Sequence, residues 1–355
     1  MGLKMIKYVG VCLLMLLTGC SEPAIKYSDI EQVKQQLRVQ NEFLQPLDTS
    51  IASEITLDSK LPFSESYLLT RHDVYRSLRA MDLTKPQQQL ADYLSISERF
   101  PARYFPWPAN INVVENMLSN DLITDQEIAQ WIGFTIKQLS LGLESKLKLN
   151  KIELNSLKSH VAKLEEIKGI SQDISVALES LSDYLSSYTP RGSVGLHGLP
   201  NGASWYQSKL NYFAQKTDAP LIWLAKIQNR AEFSKQQRYT QTFDGDHSDS
   251  LLEKWLMFNS YELIAGLDWE QSYYNLPLSA SLQIEKMSDS DKAFWLAMME
   301  TDLGIHYHAW TVQQAKVNLQ KRIQMSDKQA AYAVENLVYF PAFSFAFAQL
   351  LDNKL

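Results

Sequence analysis

The chain has 355 residues, 45% of them hydrophobic and 21% charged, with 34 basic against 40 acidic side chains and a formal net charge of −6. That length allows one large or two modest domains with a substantial core. An acidic chain without basic clusters excludes a nucleic-acid partner, and two cysteines exclude a disulfide framework.

The first seventeen residues read as a leader. Lys4 and Lys7 give a positive start, and Tyr8 to Leu17 is an apolar run too short to span a bilayer as a stable helix. Leu17-Thr18-Gly19-Cys20 follows, with small residues where a signal peptidase cuts and a cysteine directly after them. The order resembles the lipobox of bacterial lipoproteins; the competing reading is an ordinary signal peptide with an accidental cysteine. The resemblance implies that Cys20 becomes the lipidated first residue of the mature chain. Several acyl chains would anchor it stably, each buried methylene contributing about 0.8 kcal/mol. By the same resemblance, Ser21 in place of Asp permits export to the outer membrane; the residue does not fix the face, and the periplasmic one is the expectation. Loss of Lys4 and Lys7 takes the net charge from −6 to −8. Cys12 leaves with the leader, so the mature chain has no free thiol and no cysteine metal site.

After a tether to about residue 27, helical signals dominate. Ser28-Asp-Ile-Glu31 predicts a capped helix reaching about Leu44, and Thr84-Lys-Pro-Gln87 predicts another start. Phe105-Pro-Trp-Pro108 reads as a rigid non-helical connection. Thr124-Asp-Gln-Glu127 opens the clearest amphipathic helix, with Ile128, Trp131, Ile132, Ile136, Leu139 and Leu143 at helical spacing. Leu154, Leu157, Val161 and Leu164 form a second stripe. Val176, Leu181, Tyr184, Leu185 and Tyr188 form a third. Thr189 to Gly195 and Leu199-Pro-Asn-Gly202 break the pattern, the latter as a turn in which Asn201 and Gly202 accept positive φ. Helices are then expected over Ala203–Phe213 and Leu251–Leu267, and over Ser288–Leu303 with a stop at Gly304. Phe243 to Asp249 is a polar break. Thr311-Val-Gln-Gln314 and Ser326-Asp-Lys-Gln329 are capping boxes, and Pro341 interrupts the last helix. Alternating strand patterns are almost absent. The expectation is a mostly α, single multi-helix domain over residues 28–355, following a leader over 1–19 and a tether over 20–27. Residues 189–202 mark where it would divide.

Three segments carry a family resemblance. Gly195-Leu-His-Gly-Leu-Pro-Asn-Gly202 with Tyr206 is similar to a "Gly-x-x-x-Leu-Pro-x-Gly, then Tyr" element. Asp302-Leu-Gly-Ile-His306 with Trp310-Thr311 and Gln314-Ala315 is similar to "Asp-x-Gly-Ile-His, Gly-Trp-Thr, x-x-Gln-Ala". Tyr339-Phe-Pro341 is similar to a closing "Tyr, Pro, aromatic" segment. In this order, after a helical N-terminal half, they resemble the bacterial domain of unknown function 885 family, many of whose members are lipoproteins. The resemblance implies a largely helical fold related to gluzincin metallopeptidases. In those, two histidines of a His-Glu-x-x-x-Gly-His-His helix and a later carboxylate hold zinc, and a glutamate polarises the metal-bound water.

The chain departs from that pattern. His72, His160, His197, His247, His306 and His308 are its histidines, and none sits in a His-Glu-x-x-His arrangement. The stretch between Gly202 and Glu253 is much shorter than the family's. Glu253-Lys-Trp-Leu-Met-Phe258 resembles a worn Glu-Gly-Trp segment, placing Glu253, or alternatively Glu262, at the third-ligand position. No cofactor is therefore expected, although the family implies zinc. His306 and His308 would diverge by roughly 200° on a helix and cannot chelate together from one. His247 among Asp244, Asp246 and Asp249 lacks calcium-loop spacing and reads as a solvated loop. Glu253 and His306 are the candidate catalytic residues. His197, Asn201, Tyr206, Trp255, Asp302 and Trp310 are candidate binding residues. The aromatic side chains read as core, or alternatively as a groove for peptide or glycan. The functional expectation is a lipid-anchored, non-catalytic envelope protein that binds a peptide, an envelope polymer or a protein. The alternative is a peptidase-like hydrolase with a reduced site around Glu253 and His306.

Overall fold

The computed structural model describes residues 27–40, 64–85, 87–88, 91–92, 118, 123–214, 216–236 and 287–352. Over these residues the chain is a mostly α single domain, and its one β-type pairing is an isolated bridge between Asn150 and Arg191. Expectations at Cys20, Leu44, Phe105–Pro108, Phe243–Asp249, Glu253, Trp255, Glu262 and the helix Leu251–Leu267 lie outside the described residues.

The helices are α1 (Ile30–Gln40), α2 (Glu65–Arg79), α3 (Asp125–Glu144), α4 (Lys151–Glu165), α5 (Gln172–Ser187), α6 (Gly202–Ala214), α7 (Pro220–Gln236), α8 (Asp289–His306), α9 (Val312–Ile323) and α10 (Asp327–Tyr339). Short 3-10 segments cover Leu196–Gly198 and Phe343–Leu351. The caps follow the sequence closely. Thr124, Thr311 and Ser326 each accept from the backbone three residues on, while Glu127, Gln314 and Gln329 return the bond. At α1 the box sits one residue later than expected: Asp29 accepts from the Gln32 amide at 2.9 Å, and the Gln32 side chain takes the Ser28 amide. The Thr84 amide donates to the Gln87 side-chain oxygen at 2.9 Å, as the spacing predicts. Thr311→Ala is expected to destabilise the fold by about 1 kcal/mol, read as a shift in urea midpoint, because it orphans the Gln314 amide.

Two apolar cores form. The first joins α3, α4 and α5 through Trp131, Leu139, Leu157, Val161, Leu178 and Leu185, among others. The second gathers α6 to α10 and the last 3-10 segment, with Trp223 and Trp295 fully enclosed. Helix α2 serves both, placing Tyr67 in the first and Val74, Tyr75 and Leu78 in the second. The third stripe differs from its reading. Val176 is 49% exposed, and Ile174 and Leu178 take the buried positions beside Leu181 and Leu185. Those residues continue the 3.6-residue period, whereas Val176 lies about 200° from Ile174.

A joint over residues 145–150 and 189–195 ties the cores together. Asn150 caps α4 by accepting from the Glu153 amide, and its side-chain amide donates to the Val194 carbonyl at 3.2 Å. The Arg191 backbone amide donates to the Leu149 carbonyl at 2.8 Å. Its guanidinium donates to the carbonyls of Lys148, Ser193, Val194 and Gly195. Glu153 stands 3.9 Å away. Arginine suits this position because a planar fork of donors can satisfy several carbonyls at once.

Candidate functional site

The Gly-Leu-Pro-Gly turn and the Asp-Gly-Ile-His helix end meet in the second core. Helix α8 runs past Gly304 to His306, two residues beyond the expected stop. Gly304 is needed for packing: Trp310 folds back so that a Cβ there would lie 2.1 Å from its ring. The Trp310 amide donates to the Gly304 carbonyl at 2.8 Å, and Ala309 takes the left-handed conformation that lets the chain reverse. The other glycines admit backbone. A Cβ on Gly195 would stand 1.8 Å from the Ile305 carbonyl oxygen, and one on Gly202 would stand 1.8 Å from that of Leu196. Of the Asn201–Gly202 pair only Asn201 adopts positive φ; Gly202 opens α6.

Asp302 is the polar centre and is 0% exposed. Its carboxylate accepts from the Tyr206 hydroxyl at 2.5 Å and from the Ala342 amide at 2.9 Å. It also accepts from the Ser344 hydroxyl at 3.4 Å. Ala342 has positive φ just after Pro341 and caps the last 3-10 segment, so one carboxylate fixes α8, α6 and the C-terminal turn together. Burial pushes its pKa up to about 7; the three donors and the Lys209 charge pull the other way. Lys209 is itself buried, with Nζ 5.6 Å from the Trp205 ring centre and 5.7 Å from that of Phe213.

His306 sits one helical turn beyond Asp302 and is 1% exposed. Its Nδ1 accepts from the Leu196 amide at 3.1 Å, so the proton is on Nε2, which donates to the Leu337 carbonyl at 2.8 Å. Burial drives its pKa down to about 3, and the imidazole is neutral. Tyr206 lies against it, ring centres 5.3 Å apart. His197 is half-buried and donates from Nδ1 to the Ile305 carbonyl at 3.2 Å; burial lowers its pKa too. Ile305 and Leu337 are near the ends of α8 and α10, so the two imidazoles satisfy carbonyls that helix ends leave open.

The structure therefore brings Tyr206, Asp302, His306 and His197 into one contact network. Trp310 packs against it through Gly304, and Asn201 lies exposed at the turn. His308 is exposed two residues past the helix end. Among the described residues no three His, Cys, Asp or Glu side chains converge as metal ligands would, so they supply no zinc donor set. A separate cleft of about 670 Å³ opens beside the start of α1, lined by Tyr27, Asp29, Ser77, Met81, Asp82 and Gln87 among others; Tyr206, Asp302, His306 and His197 do not line it.

The reading of the sequence missed Lys209, Arg191 and Asn150. Lys209 had a signal: it stands four residues from both Trp205 and Phe213, on the apolar face of α6.

Asp302 and His306 bend stability in opposite directions with pH. Between about pH 4 and 7, native Asp302 keeps a proton that the unfolded chain releases, so its contribution falls as pH rises. Between about pH 3 and 6.5, unfolded His306 takes a proton that the native chain refuses, so its contribution rises with pH. The two nearly cancel between pH 4 and 6.5. Asp302→Asn is expected to unmask a rise approaching ~1.4 kcal/mol per pH unit, measured by urea unfolding at pH 4 to 7.

No family model matches the chain, and no curated protein matches it. Among solved structures it is similar to the "putative lipoprotein" of Colwellia psychrerythraea, with a TM-score of 0.49 and 11% identity over 90% of this chain and 89% of that one.

Proposed function

We propose that the protein is a lipid-anchored bacterial envelope protein that works by binding. In this reading it keeps the C-terminal motifs of the domain of unknown function 885 family as architecture. One observation carries the reading: the polar atoms of Tyr206, Asp302 and His306 are sealed from solvent, Tyr206 bonding to Asp302, and Asp302 and His306 bonding to the backbone of three elements at Ala342, Leu196 and Leu337. A general acid, base or metal ligand needs a face open to substrate; these side chains are committed to holding the fold. The anchor is lipid on Cys20, and the site of residence is the periplasmic face of the outer membrane. The partner is an envelope polymer, a peptide or a protein.

Two experiments test this. Cells expressing the full chain and its Cys20→Ala variant are labelled with radioactive palmitate, and the wild type alone is expected to incorporate it. The soluble form, residues 21–355, is then incubated with a mixed peptide library and separately with purified peptidoglycan sacculi. Co-sedimentation without peptide cleavage supports binding. Cleavage that Glu253→Gln abolishes without lowering thermal stability would establish the hydrolase instead.

A further inference from the structure

We propose that His306 is an acid-released latch on the turn over residues 195–202, so that its protonation frees this turn, and with it the joint between the two cores, without unfolding the chain. The inference does not depend on the anchor or on the partner.

The geometry supplies the mechanism. Both ring nitrogens of His306 are used, in opposite senses: Nδ1 accepts from Leu196 of the turn and Nε2 donates to Leu337 of α10. A second proton must go on Nδ1. There it would face the Leu196 N–H, turning an attraction into a donor–donor repulsion in a site closed to bulk solvent. The surroundings add to the effect. The turn and the joint present His197 and Arg191, and α6 presents Lys209, all opposing a positive charge on the ring. Tyr206 of α6 offers its ring face, α10 offers the Leu337 carbonyl, and Asp302 one turn back on α8 is engaged with Tyr206 and Ala342 and holds its own proton in this range.

His197 behaves differently. It already donates from Nδ1 to the Ile305 carbonyl, so a proton added at Nε2 leaves that bond in place. Nor does opening the turn disturb Asp302, whose partners Tyr206, Ala342 and Ser344 belong to other elements. Unfolding the whole chain releases Asp302 and His306 together, and their opposed titrations offset each other. Opening the turn releases His306 without Asp302, and frees His197, whose pKa burial also lowers, in the same sense, so only the local step is steeply acid-dependent. The freed turn begins at Gly195 directly after Val194, and the carbonyls of these two residues receive Arg191 and Asn150 of the joint. Release at His306 therefore slackens the connection between the cores.

The test is amide hydrogen exchange of the soluble form from pH 7 to pH 4.5, corrected for intrinsic exchange, comparing residues 193–202 with α3 and α8. In the wild type the turn is expected to lose protection by about tenfold per pH unit below pH 6, while both helices hold theirs. The His197→Asn variant keeps that dependence, and the His306→Asn variant, whose side chain can still accept from Leu196, loses it. Turn protection that is flat with pH, or that falls in step with the helices, overturns the proposal; so does an unchanged slope in His306→Asn. The comparison within the wild type decides the matter even if a variant does not fold.

Discussion

Asp302→Ala is expected to destabilise the fold by roughly 4 kcal/mol, among the largest effects of any single substitution in this chain. The loss is not that of one hydrogen bond. It strands the Tyr206 hydroxyl, the Ala342 amide and the Ser344 hydroxyl, all buried around a carboxylate that no water reaches. Asp302→Asn retains an acceptor, and the Tyr206 hydroxyl can turn to receive the new amide, so about half that cost is expected. The two residues act together. A double-mutant cycle of Tyr206→Phe with Asp302→Asn, read by urea unfolding, should give a coupling of at least about 1 kcal/mol. Additive effects would mean that the 2.5 Å contact contributes nothing.

The glycines give the second large effect, with an internal control. Gly195→Ala and Gly202→Ala each place a Cβ 1.8 Å from a carbonyl oxygen, and backbone cannot give way as a side chain can. Gly304→Ala sets a Cβ 2.1 Å from a rigid indole. Each is expected to destabilise by about 3 kcal/mol or to fail to fold. Gly133→Ala should do the reverse. It lies exposed within α3 with nothing within 4 Å of the added carbon, so it should stabilise by about 0.8 kcal/mol by lowering the entropy lost on folding. Thermal melts of the four variants give the ranking directly.

Much of the fold was legible in the chain because its signals are local. A threonine followed three residues later by glutamate or glutamine satisfies its own helix end, whatever surrounds it; Thr124, Thr311 and Ser326 were readable for that reason. Apolar stripes fared nearly as well, and the slip at Val176 came from counting an apolar residue that sits off the face. Gly304 was misread as a helix stop because glycine ends helices when it adopts positive φ. Here it stays helical and instead makes room for Trp310, a reason that exists only in the folded chain.

The motif residues illustrate the same limit. Residue types and order brought Gly195, Tyr206, Asp302 and His306 together on paper. Whether an Asp and a His line a cleft or seal a core depends on what covers them, and the cover over His306 comes from Leu196, 110 positions away. A buried histidine with both nitrogens engaged and an exposed catalytic one can have the same sequence neighbours. In this chain the motif residues brace one another: Asp302 joins α8, α6 and the C-terminal turn, and His306 joins the 195–202 turn to α10, so they serve the fold first.

The most direct test of that claim is the state of the His306 ring in solution. Nitrogen-15 NMR of the histidine-labelled soluble form, followed from pH 7.5 to 5, should show one imidazole locked as the neutral Nε2–H tautomer, with no titration and no change when one equivalent of zinc is added. A His306 ring that titrates near 6.5, or whose Nδ1 or Nε2 resonance shifts on adding zinc, would place it on an open, reactive face and contradict the account.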